Sequence, residues 1–519
     1  MISSNPDHWN YHFLALSEVL TKPLDYRRHG TALMPVDWEN ANWAHLQNQC
    51  LSQNQHRFPN PTRISRANRF RLRDNDWEGF EPLRVRPYAT GRTAIVLRGY
   101  EGFRYTPSDM HNIRSFIMEA GLGSESDYAV FLLVDVKDED GTRHIFHNTQ
   151  DYDKALEELV PREFRDMAVL FDQKLLESWY PEIPEHSVFF QAYQPLQLFA
   201  QLFSGFDHYW QIELDSKITG DSRIFLDALS NFARKEPRKQ SIERSSYYYM
   251  PQGHGCYEEF RSRINDSLKG GGFWGPVTIP DIPHPIGPEP PFQTPEEDLD
   301  FTWGVDEDAD LILTNGFASI PATSYWPFKN WLSGFKLGTA TPRFYSPVAM
   351  GRYSWNLLNT IHHAQVHQAL ALPSEATPLS FALYHGLKVV FPPHPWFHHP
   401  QDQNAHLTIQ DLNNLFNGNT TMLENAKINN GLSFGKAMYD PDGVYELFNG
   451  ATWWWVPGFP GEVMKAWMRQ DLEIEIENEM NDGGGEGSQK GLASVLRVVD
   501  GEVWAPIMAL HPVKSWDFE

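Results

Sequence analysis

The apolar positions of the chain fall into short continuous runs that alternate with helically spaced ones. Thr93–Leu97 is a compact apolar strand followed by Arg98-Gly99-Tyr100. Thr106-Pro107-Ser108-Asp109 then supplies an N-cap, a proline at the first helical position and an acid at the third. Ile113, Phe116, Ile117 and Ala120 follow at the spacing of one helix face. Tyr128–Val134 is a second buried strand, ending in Asp135. Strand, helix and strand, with the strands apolar throughout, is the mark of a parallel sheet covered on both faces.

The alternation continues. Val188–Phe203 is apolar and predicted largely helical, and it leads into a strand over Tyr209–Leu214. Leu226, Leu229 and Phe232 predict a short helix, and Leu311-Ile312-Leu313 another strand. Tyr353, Leu357, Ile361 and Ala364 mark a helix, and Thr377-Pro378 opens the next one, which runs into Val389-Val390-Phe391. Residues 91–400 therefore read as one α/β domain with a mostly parallel central sheet flanked by helices. Residues 1–90 lack periodicity and are expected to form an irregular arm packed on it. Residues 401–519 are expected to be a C-terminal extension, with Asp471–Lys490 as a mobile loop and Trp453-Trp454-Trp455 as a core plug or docking surface.

Candidate chemistry concentrates in Phe206–Asp221, FDHYWQIELDSKITGD. Carboxylates at i and i+2 leave a strand on one face, so Glu213 and Asp215 can address a single cation. Their place at the carboxyl end of a strand is where open parallel sheets bind ligands. A pair of solvated carboxylates is the plain alternative. His363 and His367 stand at i, i+4, the spacing of a two-histidine metal site, without the intervening glutamate of metalloproteases. His394 lies on a rigid loop between prolines, with His398 and His399 close behind. Glu307-Asp308-Ala309-Asp310 forms an acidic cluster entering a strand, and Trp274 sits in a glycine-rich segment, GGGFWG.

Composition narrows the function classes. Hydrophobic residues make up 41% of 519 and charged ones 21%, so the chain can bury a large core. A formal charge of -24 argues against nucleic acid or an anionic membrane as the main partner. Two cysteines, Cys50 and Cys256, allow at most one bridge. No apolar run is long enough for a membrane span, and the polar first ten residues do not read as a signal peptide.

The segment from Tyr345 to Phe397, with AMGRYSWNLLNTIHHAQ, LPSEATPLSFALYHGLKV and FPPHPWF, resembles a fungal family known only as a domain of unknown function. Tyr209–Glu213 with the later Asp221 is in turn similar, more distantly, to the metal-site strand of fungal Golgi α-mannosyltransferases of GT-A fold. Glu307–Leu311 is similar to their Glu-x-Ala-Asp-Leu element, and Glu375–Ser380 to their acid-Ala-Pro helix start. His394 falls near their metal-binding histidine. Leu214, Gln211 and Gly220 stand where those enzymes have proline, arginine and cysteine.

The resemblance implies a GT-A-like catalytic domain. It implies Mn²⁺ or Mg²⁺ held by Glu213, Asp215 and His394, with Glu307 and Asp310 as catalytic carboxylates. Arg98, Trp210 and Trp274 would bind the nucleotide-sugar donor. The implied reaction moves a sugar to a glycan or small-molecule acceptor. Two other readings stand beside it: a non-catalytic binding or scaffold protein on a degenerate transferase fold, which the altered ELDSK segment permits, and a metal-dependent hydrolase built on the His363/His367 helix. The resemblance places the protein in the Golgi lumen; the missing N-terminal anchor would place it in the cytosol.

Overall fold

The computed structural model describes residues 11–12, 20–22, 37–59, 61–73, 85–86, 89–137, 143–319, 326–398, 408–410, 413, 417, 451–453, 459–468, 492, 495–499 and 502–513. Trp454, Trp455, His399 and Asp471–Lys490 lie outside the described residues.

Seven strands form one twisted sheet. In chain order they are β1 (Thr93–Tyr100), β2 (Tyr128–Asp135), β3 (Ala168–Phe171), β4 (His208–Glu213), β6 (Leu311–Leu313), β7 (Met350–Ser354) and β8 (Val389–Val390). A short strand outside this sheet, β5 (Lys217–Thr219), directly follows β4. Across the sheet the order is β8-β6-β7-β4-β1-β2-β3. The pairs β8·β6, β4·β1, β1·β2 and β2·β3 are parallel, and β7 runs antiparallel to both β6 and β4. This is the α/β fold that the strand–helix alternation predicts, with one reversed strand inserted.

Two sets of helices cover the sheet. The labels used are α1 (Trp43–Asn54), α2 (Pro107–Ser115), α3 (Gln194–Leu202), α4 (Ser222–Lys235), α5 (Trp355–Gln368) and α6 (Thr377–Tyr384). On one face, Phe131 of β2 packs edge-on to Phe199 of α3 at 5.1 Å, and the Tyr209 hydroxyl donates to the Phe203 carbonyl at 2.8 Å. On the other face, Gln47 of α1 donates to the Val130 carbonyl, and the Tyr128 hydroxyl donates to Asp227 of α4. The predicted capping box starts α2: the Asp109 amide donates to the Thr106 hydroxyl, and the Thr106 amide donates to the Asp109 carboxylate. Ile113, Phe116, Ile117 and Ala120 are all fully buried, as the spacing requires.

Several boundaries differ from the expectation. Tyr353 belongs to β7 rather than to the following helix, which Ser354 caps at the Leu357 amide. The helix expected over Val188–Phe203 forms only from Gln194. The N-terminal arm contains a regular helix, α1, whose Trp43 and Ala44 join the main core. Cys50 and Cys256 are separate free thiols, so no bridge links them. Trp453 is a core residue, with its indole nitrogen donating to the Thr314 carbonyl at 3.0 Å.

Glycine is required at position 351 for space. A Cβ there would lie 2.5 Å from the Tyr353 hydroxyl and 2.9 Å from a Leu313 methyl, in the crowded middle of the sheet. The Tyr353 hydroxyl is itself held 2.8 Å from that of Tyr193. Gly351→Ala is therefore expected to cost about 1–3 kcal/mol, read as a lowered urea midpoint. A midpoint equal to wild type would show that the strand yields.

Candidate metal centre

In the sheet β1 lies between β2 and β4, so the chain passes to one side of β1 first and to the other side later. At such a reversal the adjoining loops diverge and leave a crevice at the carboxyl ends of the strands. Arg98 of β1 and Glu213 of β4 are register partners at that point. They share one face of the sheet, and the Arg98 guanidinium donates to Glu213 Oε1 in an ion pair. Arg98 Nη1 is buried and has no hydrogen-bond partner among the described residues.

After Glu213 the chain turns sharply, with the Ser216 amide donating to the Glu213 carbonyl at 2.9 Å. The turn brings Asp215 beside Glu213 and starts β5, which pairs antiparallel with β9 (Met508–Leu510). Leu510 is the partner of Lys217, so the next residue, His511, is delivered to the end of β4. Its Nε2 lies 3.3 Å from Glu213 Oε2 and 3.7 Å from Asp215 Oδ1. The Val513 amide donates to the Asp215 carbonyl at 2.8 Å and fixes the segment beyond.

Glu213, Asp215 and His511 each offer a ligand atom, and these atoms lie within 4.8 Å of one another. Two ligands on one cation at metal–ligand distances near 2.1 Å stand roughly 3 to 4.3 Å apart. The observed spacings thus fit a shared divalent ion with little adjustment. Two carboxylates with one imidazole suit Mn²⁺, and Mg²⁺ less well because of the nitrogen donor.

The base of the centre is braced by a buried ion pair. Lys217 Nζ lies 2.7 Å from Asp109 Oδ1 and 2.5 Å from the Ser108 hydroxyl, joining β5 to the first turn of α2. Burial pushes the Lys217 ammonium below its ordinary range, and Asp109 opposes that shift. Asn112 of the same helix donates to the Ser216 carbonyl at 3.1 Å. Glu375, just before α6, is pushed upward by burial and by the charge of Glu213, which brings a further carboxyl within electrostatic reach of the centre.

The remaining predicted residues lie elsewhere. His394 is fully buried; its Nε2 bonds the Thr314 carbonyl at 2.8 Å, and burial lowers it to about 4. It lies against Trp453, whose ring also contacts His511, so His394 is outside the cluster and His511 takes the nitrogen-donor place. Trp210 points into the core and offers no face to a ligand.

Asp310 accepts from the Ser354 hydroxyl at 2.9 Å and the Lys388 amide at 3.0 Å, tying β6, β7 and β8 together. Glu307 pairs with Arg238 at 2.8 Å. Trp274 packs against Trp303 in a pocket lined by Arg238 and Lys388. All three belong to the amino-terminal edge of the parallel strands: Asp310 bonds Ser354, and Ser354 pairs with His208. Five residue steps along the strand separate His208 from Glu213, about 16 Å at the rise of a strand. Glu307, Asp310 and Trp274 are therefore not brought together with Glu213.

Among the described residues no helix is long and apolar enough to cross a membrane. The curated proteins give no match. Among solved structures the chain is similar to the mannosyltransferase Ktr4p from S. cerevisiae at 10% identity. That match covers 71% of this chain and 82% of the other, with a TM-score of 0.22, an overlap too loose to carry an argument about fold or function. The family described as Protein of unknown function (DUF3405) matches residues 20–515, nearly the whole length, and the chain belongs to that family.

Proposed function

We propose that the protein is a metal-dependent glycosyltransferase that moves a sugar from a nucleotide-diphosphate donor to a glycan or small-molecule acceptor. The observation that carries this reading is the mixed carboxylate–imidazole cluster at the point of strand reversal, with Arg98 beside it. A divalent cation next to a guanidinium makes a site for a polyanion. The similarity of Tyr209–Asp221 and Glu375–Ser380 to the mannosyltransferase elements supports a sugar diphosphate as that polyanion.

Glu213, Asp215 and His511 would hold Mn²⁺ or Mg²⁺. When bound, the ion neutralises charge that builds on the departing diphosphate. Arg98, through the guanidinium nitrogen that Glu213 does not engage, would add donors to the same phosphate oxygens. Burial, and after it the charge of Glu213, push Glu375 toward its protonated form.

Calorimetric titration of GDP and of UDP, each with and without Mn²⁺, tests the reading on wild type and Glu213→Ala. Binding of one nucleotide that requires the metal and is lost in the variant is expected. Absence of binding by either nucleotide, or binding indifferent to Mn²⁺, would overturn it.

A further inference from the structure

The metal centre leaves one sequence motif unused. On α5, His363 and His367 project from successive turns, with ring centroids 4.6 Å apart and planes inclined by 56°. Both side chains are partly exposed, so a hydrated ion can reach them. Two nitrogens bound tetrahedrally at about 2.0–2.1 Å from one ion stand roughly 3.3 Å apart. Imidazoles one helical turn apart reach that spacing by rotation about their side-chain bonds, because the helix already holds their Cβ atoms about 5–6 Å apart.

A second observation points to the same place. His385, on the turn that ends α6, is only 4% exposed, and its Nδ1 has no hydrogen-bond partner among the described residues. Burial, and after it the neighbouring His363, lower His385 to about 4, so this imidazole is neutral and able to act as a donor. His362, bonded to the Tyr180 hydroxyl at 2.8 Å, feels both His363 and His367.

We propose that His363 and His367 form a second metal site, a nitrogen-donor chelate for a borderline divalent cation such as Zn²⁺, Ni²⁺ or Cu²⁺. It is separate from the oxygen-rich centre of Glu213. Imidazole ligands favour these ions over Mn²⁺ and Mg²⁺, whereas carboxylates favour the reverse. One chain thus sorts two classes of cation between two sites. Among the described residues Glu213, Asp215 and His511 are the group of three within 4.8 Å, so the histidine site starts as a two-nitrogen chelate completed by water. His385 is the third imidazole that a bound ion can recruit, which would clip α5 to the end of α6.

The test is calorimetric titration of Ni²⁺ into the full chain carrying Glu213→Gln and His511→Asn, which disarm the first centre. One equivalent is expected, with affinity falling about 100-fold when either His363→Asn or His367→Asn removes one arm of the chelate. Affinity should also fall on acidification through the imidazole range, because only neutral histidine ligates. No Ni²⁺ binding, or binding unchanged by both substitutions, would overturn the site. His385→Asn weakening binding supports the clip, and unchanged binding removes His385 from it. Electron paramagnetic resonance of bound Cu²⁺ needs no change at these histidines: splitting by two imidazole nitrogens is expected, and an all-oxygen signal would sink the proposal.

Discussion

Asp109→Ala is expected to destabilise the protein by about 3–5 kcal/mol, the cost of leaving a buried charge without its partner. The Asp109 and Lys217 side chains are 0% and 2% exposed, so water cannot replace the lost carboxylate. Without it, only Asp215 still opposes burial, and Lys217 is pushed further below its ordinary range. The unfolded chain then binds a proton that the folded one resists. A base whose folded value is depressed loses stability as pH falls, so the deficit of the variant should be largest near pH 7. It should shrink as pH rises toward the ordinary lysine value of about 10.4.

Replacing both partners, Asp109→Leu with Lys217→Met, removes the buried charge as well as its partner and should recover the charge-pair part of the loss, while the capping-box bond from the Thr106 amide stays lost. Urea midpoints at two pH values for the single and double variants check all of this. A single variant within about 1 kcal/mol of wild type, or a double variant as weak as the single, would show that the pair is not what docks β5 onto α2.

Glu213 and Asp215 were legible as a candidate pair because their spacing is local, although it is the turn after Glu213, and not strand alternation, that brings Asp215 beside it. The strands β1, β2, β4, β6 and β8 were legible for the same reason, as apolar runs between turn residues. Strand β7 was not, because Gly351 and Arg352 interrupt its apolar pattern; the buried Arg352 is accommodated by donating to the Ala309 carbonyl. Four-residue β3 is too short to stand out.

The histidine of the centre was hidden more deeply. His511 lies 298 residues from Glu213, and only the pairing of Lys217 with Leu510 brings it there. Nothing in the local sequence Leu-His-Pro-Val marks a ligand. His394 looked better placed, because flanking prolines hold a loop rigid. That rigidity serves a core hydrogen bond to Thr314 instead. The acids of Glu307–Asp310 read the same in sequence whether they meet a substrate or, as Asp310 does, tie three strand ends.

The two histidines can be told apart by experiment, and the second large effect is expected there. His511→Ala should weaken Mn²⁺ binding about 100-fold, the scale on which a chelate loses affinity when one arm is removed. Its metal-free stability should fall less than that of His394→Ala, because the side chain keeps 14% exposure where His394 is buried, and the strand pairing of β9 is made by backbone. Free imidazole added to this variant should restore part of the affinity, an effect that a merely unfolded site would not show. His394→Ala should do the opposite. It leaves the buried Thr314 carbonyl with one bond fewer and opens space beside Trp453, costing about 1–3 kcal/mol, while Mn²⁺ affinity stays within about twofold of wild type, because His394 touches none of the three ligands. Metal titration with urea denaturation of both variants reads the split. Loss of the metal in His394→Ala with retention in His511→Ala would return the nitrogen ligand to the proline loop, and the strand pairing that carries His511 would then be architecture alone.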